Sequence, residues 1–300
     1  MALSGKTNFQ GALLMVAAMA CYTFNDALIK LLGGDMSLSQ LFVLRGIPTI
    51  LLVGILAHRA DAMTPQLNRK DWILVSVRSL CELVAAYLFV SALRRMEIAN
   101  ATAVLQVLPL SVALAAAVFL REPLGWRRLL AILIGFSGML LIVRPGPEGF
   151  NPATFYALAA VACITLRDIT ARRLSAQVPS LFVALHAAIA VTVLASGVLW
   201  FEGSWQPVDA RDALLIVGMG IFIGGGYLFA TMVMRVGDIG FVAPFRYTSL
   251  LWALLIGLVL FGEWPDPLTL LGAAIVVGTG MFTLYRETRA SRRQAKALRT

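Results

Sequence analysis

Ten times along its length this chain runs for about 20 residues with few charges, the length a helix needs to cross the hydrocarbon core of a bilayer. Such runs leave few structural options. In lipid every backbone N–H and C=O must be satisfied within the protein, which only helices and closed barrels achieve. The runs are continuous rather than alternating, which argues against a barrel. The chain is therefore expected to be an all-α integral membrane protein. Its composition agrees: 59% of the 300 residues are hydrophobic and 14% are charged, against about half and a quarter in soluble domains.

The spans are predicted over roughly 9–32, 38–58, 71–94, 98–120, 124–143, 153–173, 179–200, 211–234, 239–261 and 266–286. Short polar or Gly/Pro connections separate them, among them Gly33-Gly34-Asp35, Met63-Thr64-Pro65, Arg144-Pro145-Gly146-Pro147, Gln206-Pro207 and Trp264-Pro265-Asp266-Pro267. Between the third and fourth spans the only break is Arg94-Arg95-Met96-Glu97. With the N-terminus in the cytoplasm, that side collects Lys6, Arg59, Arg69, Lys70, Arg121, Arg127, Arg128, Arg172, Arg173, Arg235 and the basic tail from Arg286 to Arg299. The opposite side carries only Arg94, Arg95, Arg144 and Arg211. The positive-inside rule then puts both termini in the cytoplasm, and the formal charge of +9 reads as membrane orientation rather than nucleic-acid binding. The tail 287–300 is a solvated basic end suited to anionic headgroups.

A second regularity organises the runs. Cys21-Tyr22-Thr23-Phe24-Asn25-Asp26-Ala27-Leu28-Ile29-Lys30 is echoed by Cys163-Ile164-Thr165-Leu166-Arg167-Asp168-Ile169-Thr170-Ala171-Arg172, 142 positions later at Cys, Asp and the basic residue alike. Similar offsets match Ser39–Val43 to Pro179–Val183, Tyr87-Leu88-Phe89 to Tyr227-Leu228-Phe229, Phe119–Pro123 to Leu260–Trp264, and Gly138-Met139 to Gly280-Met281. The chain thus divides into repeats at 1–147 and 148–286, followed by the tail. Each repeat holds five spans. An odd number forces the second copy to enter the membrane upside down, the inverted-topology arrangement of many secondary transporters.

The chain resembles the drug/metabolite transporter superfamily in its ten-helix EamA branch. The likeness is carried by Ala92–Leu110 (ALRRMEIANATAVLQVLPL), by Phe119-Leu120-Arg121-Glu122-Pro123-Leu124 with Gly135–Ile142, and by Gly262-Glu263-Trp264 with Gly272 and Gly278-Thr279-Gly280. It implies a fold of ten transmembrane helices as two inverted five-helix repeats, and a transporter of amino acids, riboflavin, S-adenosylmethionine, organic acids, metal-chelating metabolites or drugs. The second repeat departs at one point, with Leu250 where the first has Pro109, so helix bending need not be equal in the two halves.

Within the spans remain Lys30, Arg45, Arg78, Arg167 and Arg246 against Asp26, Glu82 and Asp168. Each such charge costs about 2.5–3.5 kcal/mol at the middle of a lipid-embedded helix even on the cheaper scale, so a polar cavity lined by these groups is expected. Arg78 and Glu82, four apart, share a helix face. They form either an internal ion pair or a site in which Arg78 meets substrate and Glu82 carries a proton. Arg45 and Arg246 have no acid three or four positions away, so their partners must come from another helix or a ligand, and a guanidinium matches a carboxylate with two parallel bonds. Lys30 sits near a helix end and is placed to snorkel. Asp26 and Asp168 are further proton-coupling candidates, or else fix helix ends with Lys30 and Arg172 at i+4. Asn25, Gln106, Tyr87 and Tyr247 complete the candidate substrate-binding set, with Tyr22, Tyr227 and Trp252 as further cavity candidates. His186 reads as a packed, hydrogen-bonded histidine, and Cys21, Cys81 and Cys163 as packing residues without metal spacing.

No phosphate-binding loop, nucleophile elbow or zinc motif is present in the sequence. The chain is therefore read as a secondary transporter rather than an enzyme, without cofactor or metal. Its partners would be a small polar metabolite and membrane lipid, not nucleic acid, and its place a bacterial inner membrane. The surplus of arginine favours carboxylate-bearing substrates: amino acids or derivatives, organic acids, or carboxylated chelators. An intramembrane enzyme, a channel, or uptake of riboflavin or S-adenosylmethionine are the alternatives. The sequence leaves the oligomeric state open.

Overall fold

The computed structural model describes residues 2–34, 36–63, 65–121, 125–143, 152–175, 177–236 and 242–297, and among these it contains helices and turns but no strand. Outside the described residues lie Glu122-Pro123, the Arg144–Pro147 connection with the repeat boundary, and the expected start of the ninth span at 239–241. The helices are α1 (Ala2–Leu32), α2 (Leu38–Arg59), α3 (Arg69–Leu93), α4 (Ile98–Leu105), α5 (Leu108–Phe119), α6 (Trp126–Val143), α7 (Pro152–Arg172), α8 (Ser180–Glu202), α9 (Ala210–Val236), α10 (Thr248–Ile256) and α11 (Pro267–Ala297). A 3-10 turn, Ala243–Tyr247, leads into α10, and a π turn, Gly257–Phe261, closes it. Among the described residues eight segments are long and apolar enough to cross a membrane, and Leu129–Ile142 and Pro267–Thr283 add two shorter apolar helices. Together they make ten spans, with α4 and α5 forming the fourth and the 3-10 turn, α10 and the π turn forming the ninth.

Local chemistry sets the ends. Ser37 caps α2 by accepting from Gln40 N, and Asn68 caps α3 by accepting from Asp71 N. Gly203 ends α8 at φ +60°, the left-handed conformation that favours glycine. Outward faces stay apolar: Ile47, Leu51 and Ile55 on α2, and Val193, Trp200 and Phe201 on α8, are all exposed. A helix apolar on its outer face as well as its inner one belongs in lipid.

The halves interlock. α1 packs on α9 and α3 on α7, α2 on α8, α6 on α11, while α1 also meets the ninth span and α7 the fourth. Exchanging each span for its counterpart five places along turns the first contact into the second and the fifth into the sixth, and maps the α2–α8 and α6–α11 contacts onto themselves. Only a two-fold relation does this. With five spans per half, the axis lies in the membrane plane, as an inverted repeat requires.

Bending falls at equivalent places. The fourth span breaks at Gln106–Val107, where the backbone makes i→i+3 bonds (Gln106 N to Ala103 O, 3.2 Å; Val107 N to Val104 O, 3.3 Å) ahead of Pro109, which has no N–H to give. The ninth span changes from 3-10 to α geometry at Tyr247–Thr248, the same point of the repeat. There the Thr248 and Ser249 hydroxyls donate to the Phe245 and Arg246 carbonyls instead. Replacing Pro109 by Leu250 in the second copy therefore changes how the span bends and not where.

α6 and α11 cross backbone to backbone. A Cβ added to Gly272 would stand 2.5 Å from Gly138 O, and one added to Gly138 would stand 2.9 Å from Gly272 O. Gly272→Ala must push the helices apart, at about 1–3 kcal/mol for overpacking. A lowered melting temperature of the detergent-purified protein is expected. Gly278→Ala, on the same helix with nothing within 4 Å, serves as control; equal melting of the two variants would contradict the close crossing.

Candidate functional site

Both halves wall a cavity of about 170 Å³. From the first half come Asn25, Asp26 and Ile29 on α1, Phe42, Arg45, Gly46 and Thr49 on α2, Glu82, Ala85, Ala86, Phe89 and Val90 on α3, and Leu105 on α4. The second half supplies Ile164 and Arg167 on α7, Ala187, Ala188, Val191 and Thr192 on α8, and Ile223 and Tyr227 on α9. Many of these residues sit well inside their helices, which puts the cavity in the body of the bundle, where the repeats meet.

Two features of α2 shape the wall. Pro48 leaves the Leu44 carbonyl without its helical donor, and the Thr49 hydroxyl donates to the Arg45 carbonyl at 2.8 Å. Gly46 lets α8 approach so closely that a Cβ there would stand 2.0 Å from Thr192 Oγ1. α2 and α8 thus meet beside Arg45.

The charges fall into two groups. In the first, Arg167 bridges two acids. Its Nη1 donates to both Glu82 oxygens at 3.3 and 3.2 Å, and its Nε and Nη2 reach Asp168 Oδ1 at 2.9 and 2.8 Å. Arg78 adds a longer contact, Nη2 to Glu82 Oε2 at 3.8 Å, while its Nη1 is buried without a partner among the described residues. In the second group, Arg45 Nη1 donates to Asn25 Oδ1 at 3.5 Å and Asn25 Nδ2 donates to Asp26 Oδ1 at 3.0 Å. The Arg45 guanidinium also lies 5.0 Å from the centre of the Phe42 ring. Among the described residues neither Asp26 nor Arg45 has an oppositely charged side chain within 4.0 Å.

Asn25, Asp26, Arg45 and Glu82 line the cavity. Arg78 stands behind Glu82, and Asp168 is bound to Arg167. Tyr87 is beside the cavity, its hydroxyl donating to Ser39 Oγ at 3.0 Å and its ring 4.7 Å from that of Phe42. Gln106 is turned away and donates to Ser249 Oγ at 3.0 Å, joining the two bent spans. Tyr247 is buried against α11, where a Cβ on Gly280 would overlap its hydroxyl. Arg246 is exposed on the 3-10 turn and does not line the cavity. His186 is packed between Trp72 and Phe182 with Nδ1 3.0 Å from Ser79 Oγ, in keeping with the structural reading. Sequence reasoning missed Arg167 as the central cation and gave no role to Phe42, Thr49 or Thr192. Arg167 was visible as one more charge in a span, but as the neighbour of Asp168 it did not read as its partner.

Lys30 does not snorkel and does not pair with Asp26. It is clamped by the Glu263 carboxylate, by the Met96 carbonyl at 2.9 Å and by the Phe261 ring at 5.1 Å. Glu263 Oε2 in turn accepts from Ile98 N at 3.2 Å. Burial and the nearby Glu263 hold the Glu97 carboxyl above its usual range. This knot ties the end of α1 to the start of the fourth span and the end of the ninth. On the same face Gln40 and the Gln206 backbone exchange two bonds, at 2.7 and 2.8 Å. On the other face Asp71 accepts from Ser175 N at 3.1 Å and Arg173 donates to Phe119 O at 2.9 Å.

Ten membrane helices in two interlocked inverted halves, with a charged cavity between them, define a membrane transporter. The chain belongs to the EamA-like transporter family, which matches residues 9–144 and 151–285. Relatives include an S-adenosylmethionine uptake transporter of Rickettsia conorii, 26% identical over 197 residues covering 66% of each chain. A riboflavin transporter of Vibrio cholerae is 28% identical over 193 residues, 64% of each chain. These matches span just under two thirds of the relatives' own lengths. The pseudopaline exporter CntI of Pseudomonas aeruginosa is 23% identical over 275 residues, 89% of this chain and 93% of the exporter. A crystal structure at 20% identity covers 96% of this chain and 99% of its own with a TM-score of 0.65, a likeness of fold.

Proposed function

We propose that the chain is a secondary transporter that moves a small, polar, carboxylate-bearing metabolite across a bacterial inner membrane by alternating access, with both termini in the cytoplasm. The observation that carries this is Arg45: a cation on the wall of a cavity inside the membrane, hydrogen-bonded to a neutral amide and left without a carboxylate among the described residues. A substrate carboxylate supplies the missing partner, in the two-bond geometry a guanidinium offers. The Lys and Arg distribution supports the orientation, and the bacterial relatives support the membrane. The repeats at 1–147 and 148–286 would rock about the cavity, with the Lys30–Glu263 knot helping to hold one face shut.

Glu82 is the proposed proton-coupling group, since it faces the cavity and shares its charge with both Arg78 and Arg167. Purified protein in liposomes should accumulate a labelled carboxylated metabolite without ATP when a proton gradient is imposed. Glu82→Gln should keep exchange of substrate for substrate but lose gradient-driven accumulation. Gradient-driven accumulation that survives Glu82→Gln removes the coupling role, and transport limited to substrates without a carboxylate removes the substrate class.

A further inference from the structure

We infer that the cavity carries a two-pole site for a zwitterion, in which Arg45 binds a carboxylate and Asp26 binds an ammonium or other onium group on the same small molecule. This rests on the carboxylate reading above and narrows it.

Among the described residues four charged side chains line the cavity: Asp26, Arg45, Glu82 and Arg167. Glu82 and Arg167 belong to a group that is neutral as a whole, since Arg167 also holds Asp168 and Arg78 also reaches Glu82. Asp26 and Arg45 remain, of opposite sign and on the same wall, and yet they are not paired. Asn25 stands between them, its carbonyl oxygen accepting from Arg45 and its amide nitrogen donating to Asp26. One side-chain amide thus holds the two charges a short step apart and prevents them from closing on each other. Leaving two unpaired charges inside a membrane is expensive, and a direct ion pair would have been the cheaper arrangement.

A ligand with both signs removes both costs at once. A simple anion would neutralise Arg45 and leave Asp26 facing added negative charge; a dianion would make this worse. The gap bridged by a single amide is on the scale of the carboxylate and ammonium of an α-amino acid, which one carbon separates. The ring of Phe42 behind the guanidinium fixes the orientation of the positive pole of the protein. On this assignment Asp26 is a substrate-binding residue rather than a proton carrier.

The test uses the full chain in liposomes and a probe panel: the common amino acids, S-adenosylmethionine, the deaminated acid and the carboxamide of each amino acid, succinate and riboflavin, read by competition and counterflow. At least one zwitterion should bind, and its deaminated acid and its carboxamide should each bind about 10–100-fold more weakly, the worth of one hydrogen-bonded charge contact. Asp26→Asn should erase the preference over the deaminated acid, and Arg45→Gln the preference over the carboxamide. Both variants are scored only as monodisperse protein, with Asp26→Ser as a second neutral substitution if the asparagine variant does not fold.

Succinate or a deaminated acid binding as well as the best amino acid overturns the zwitterion site and leaves the carboxylate reading standing. Riboflavin as the sole ligand overturns both. An Asp26→Asn protein that keeps its full preference for zwitterions overturns the assignment of Asp26. Silence from every zwitterion in the panel also overturns it.

Discussion

Arg167→Ala should be the most damaging single substitution in the bundle. It strips two carboxylates, Glu82 and Asp168, of the cation that holds them within 3.3 Å. Removing one partner of a fully buried ion pair costs about 3–5 kcal/mol, because the remaining charge is left uncompensated, and these partly buried side chains should lose the lower part of that range. Arg78 cannot replace the loss: it sits at 3.8 Å from Glu82, and among the described residues it makes no ion pair with Asp168. A sharp fall in melting temperature and in monodisperse yield is the expected result. Adding Glu82→Gln and Asp168→Asn to the same protein should recover much of the stability, since no orphaned charge then remains. Failure of the triple variant to improve on the single one would mean that Arg167 acts through packing and not through charge.

Arg45→Ala should leave the fold largely intact and remove function. Its direct polar contacts are a 3.5 Å bond to a neutral amide and the Phe42 ring, so no carboxylate is orphaned when it goes. Transport of a carboxylated substrate should fall about 10–100-fold, the worth of a charged hydrogen bond to a ligand, with melting temperature close to that of the parent. Arg246→Ala supplies the contrast, because Arg246 is exposed and outside the cavity wall; its transport should stay within about twofold of the parent, as for surface substitutions generally. Equal loss in the two variants would show that the cavity does not select the substrate.

The comparison of those two arginines also shows how far the sequence could be read. Span length and hydropathy gave the ten helices, and the 142-residue offset gave the inverted halves, because both depend only on distances along the chain. The expense of a charge in lipid singled out Asp26, Arg45 and Glu82, and all three line the cavity. What failed was direction. Arg246 lies in a five-residue 3-10 stretch, whose tighter winding turns side chains by a different angle per residue than an α-helix does, so its position in an apolar run did not reveal which way it faced. Tyr247, one position on, is buried where Arg246 is exposed. Gln106 was drawn to Ser249 by a partner 143 residues away, a contact that no local period encodes. Arg167 escaped for a related reason: adjacent helical residues point about 100° apart, yet a long guanidinium reaches back to its neighbour while bridging to α3.

The exchange of packing partners between halves has a consequence for biosynthesis. α1 rests on α9 and α3 on α7, so the early helices enter the bilayer before the surfaces they will finally cover have been translated. Glu82 is threaded into lipid 85 positions ahead of Arg167. Until α7 arrives, the cation one turn away on its own helix, Arg78, is the companion at hand.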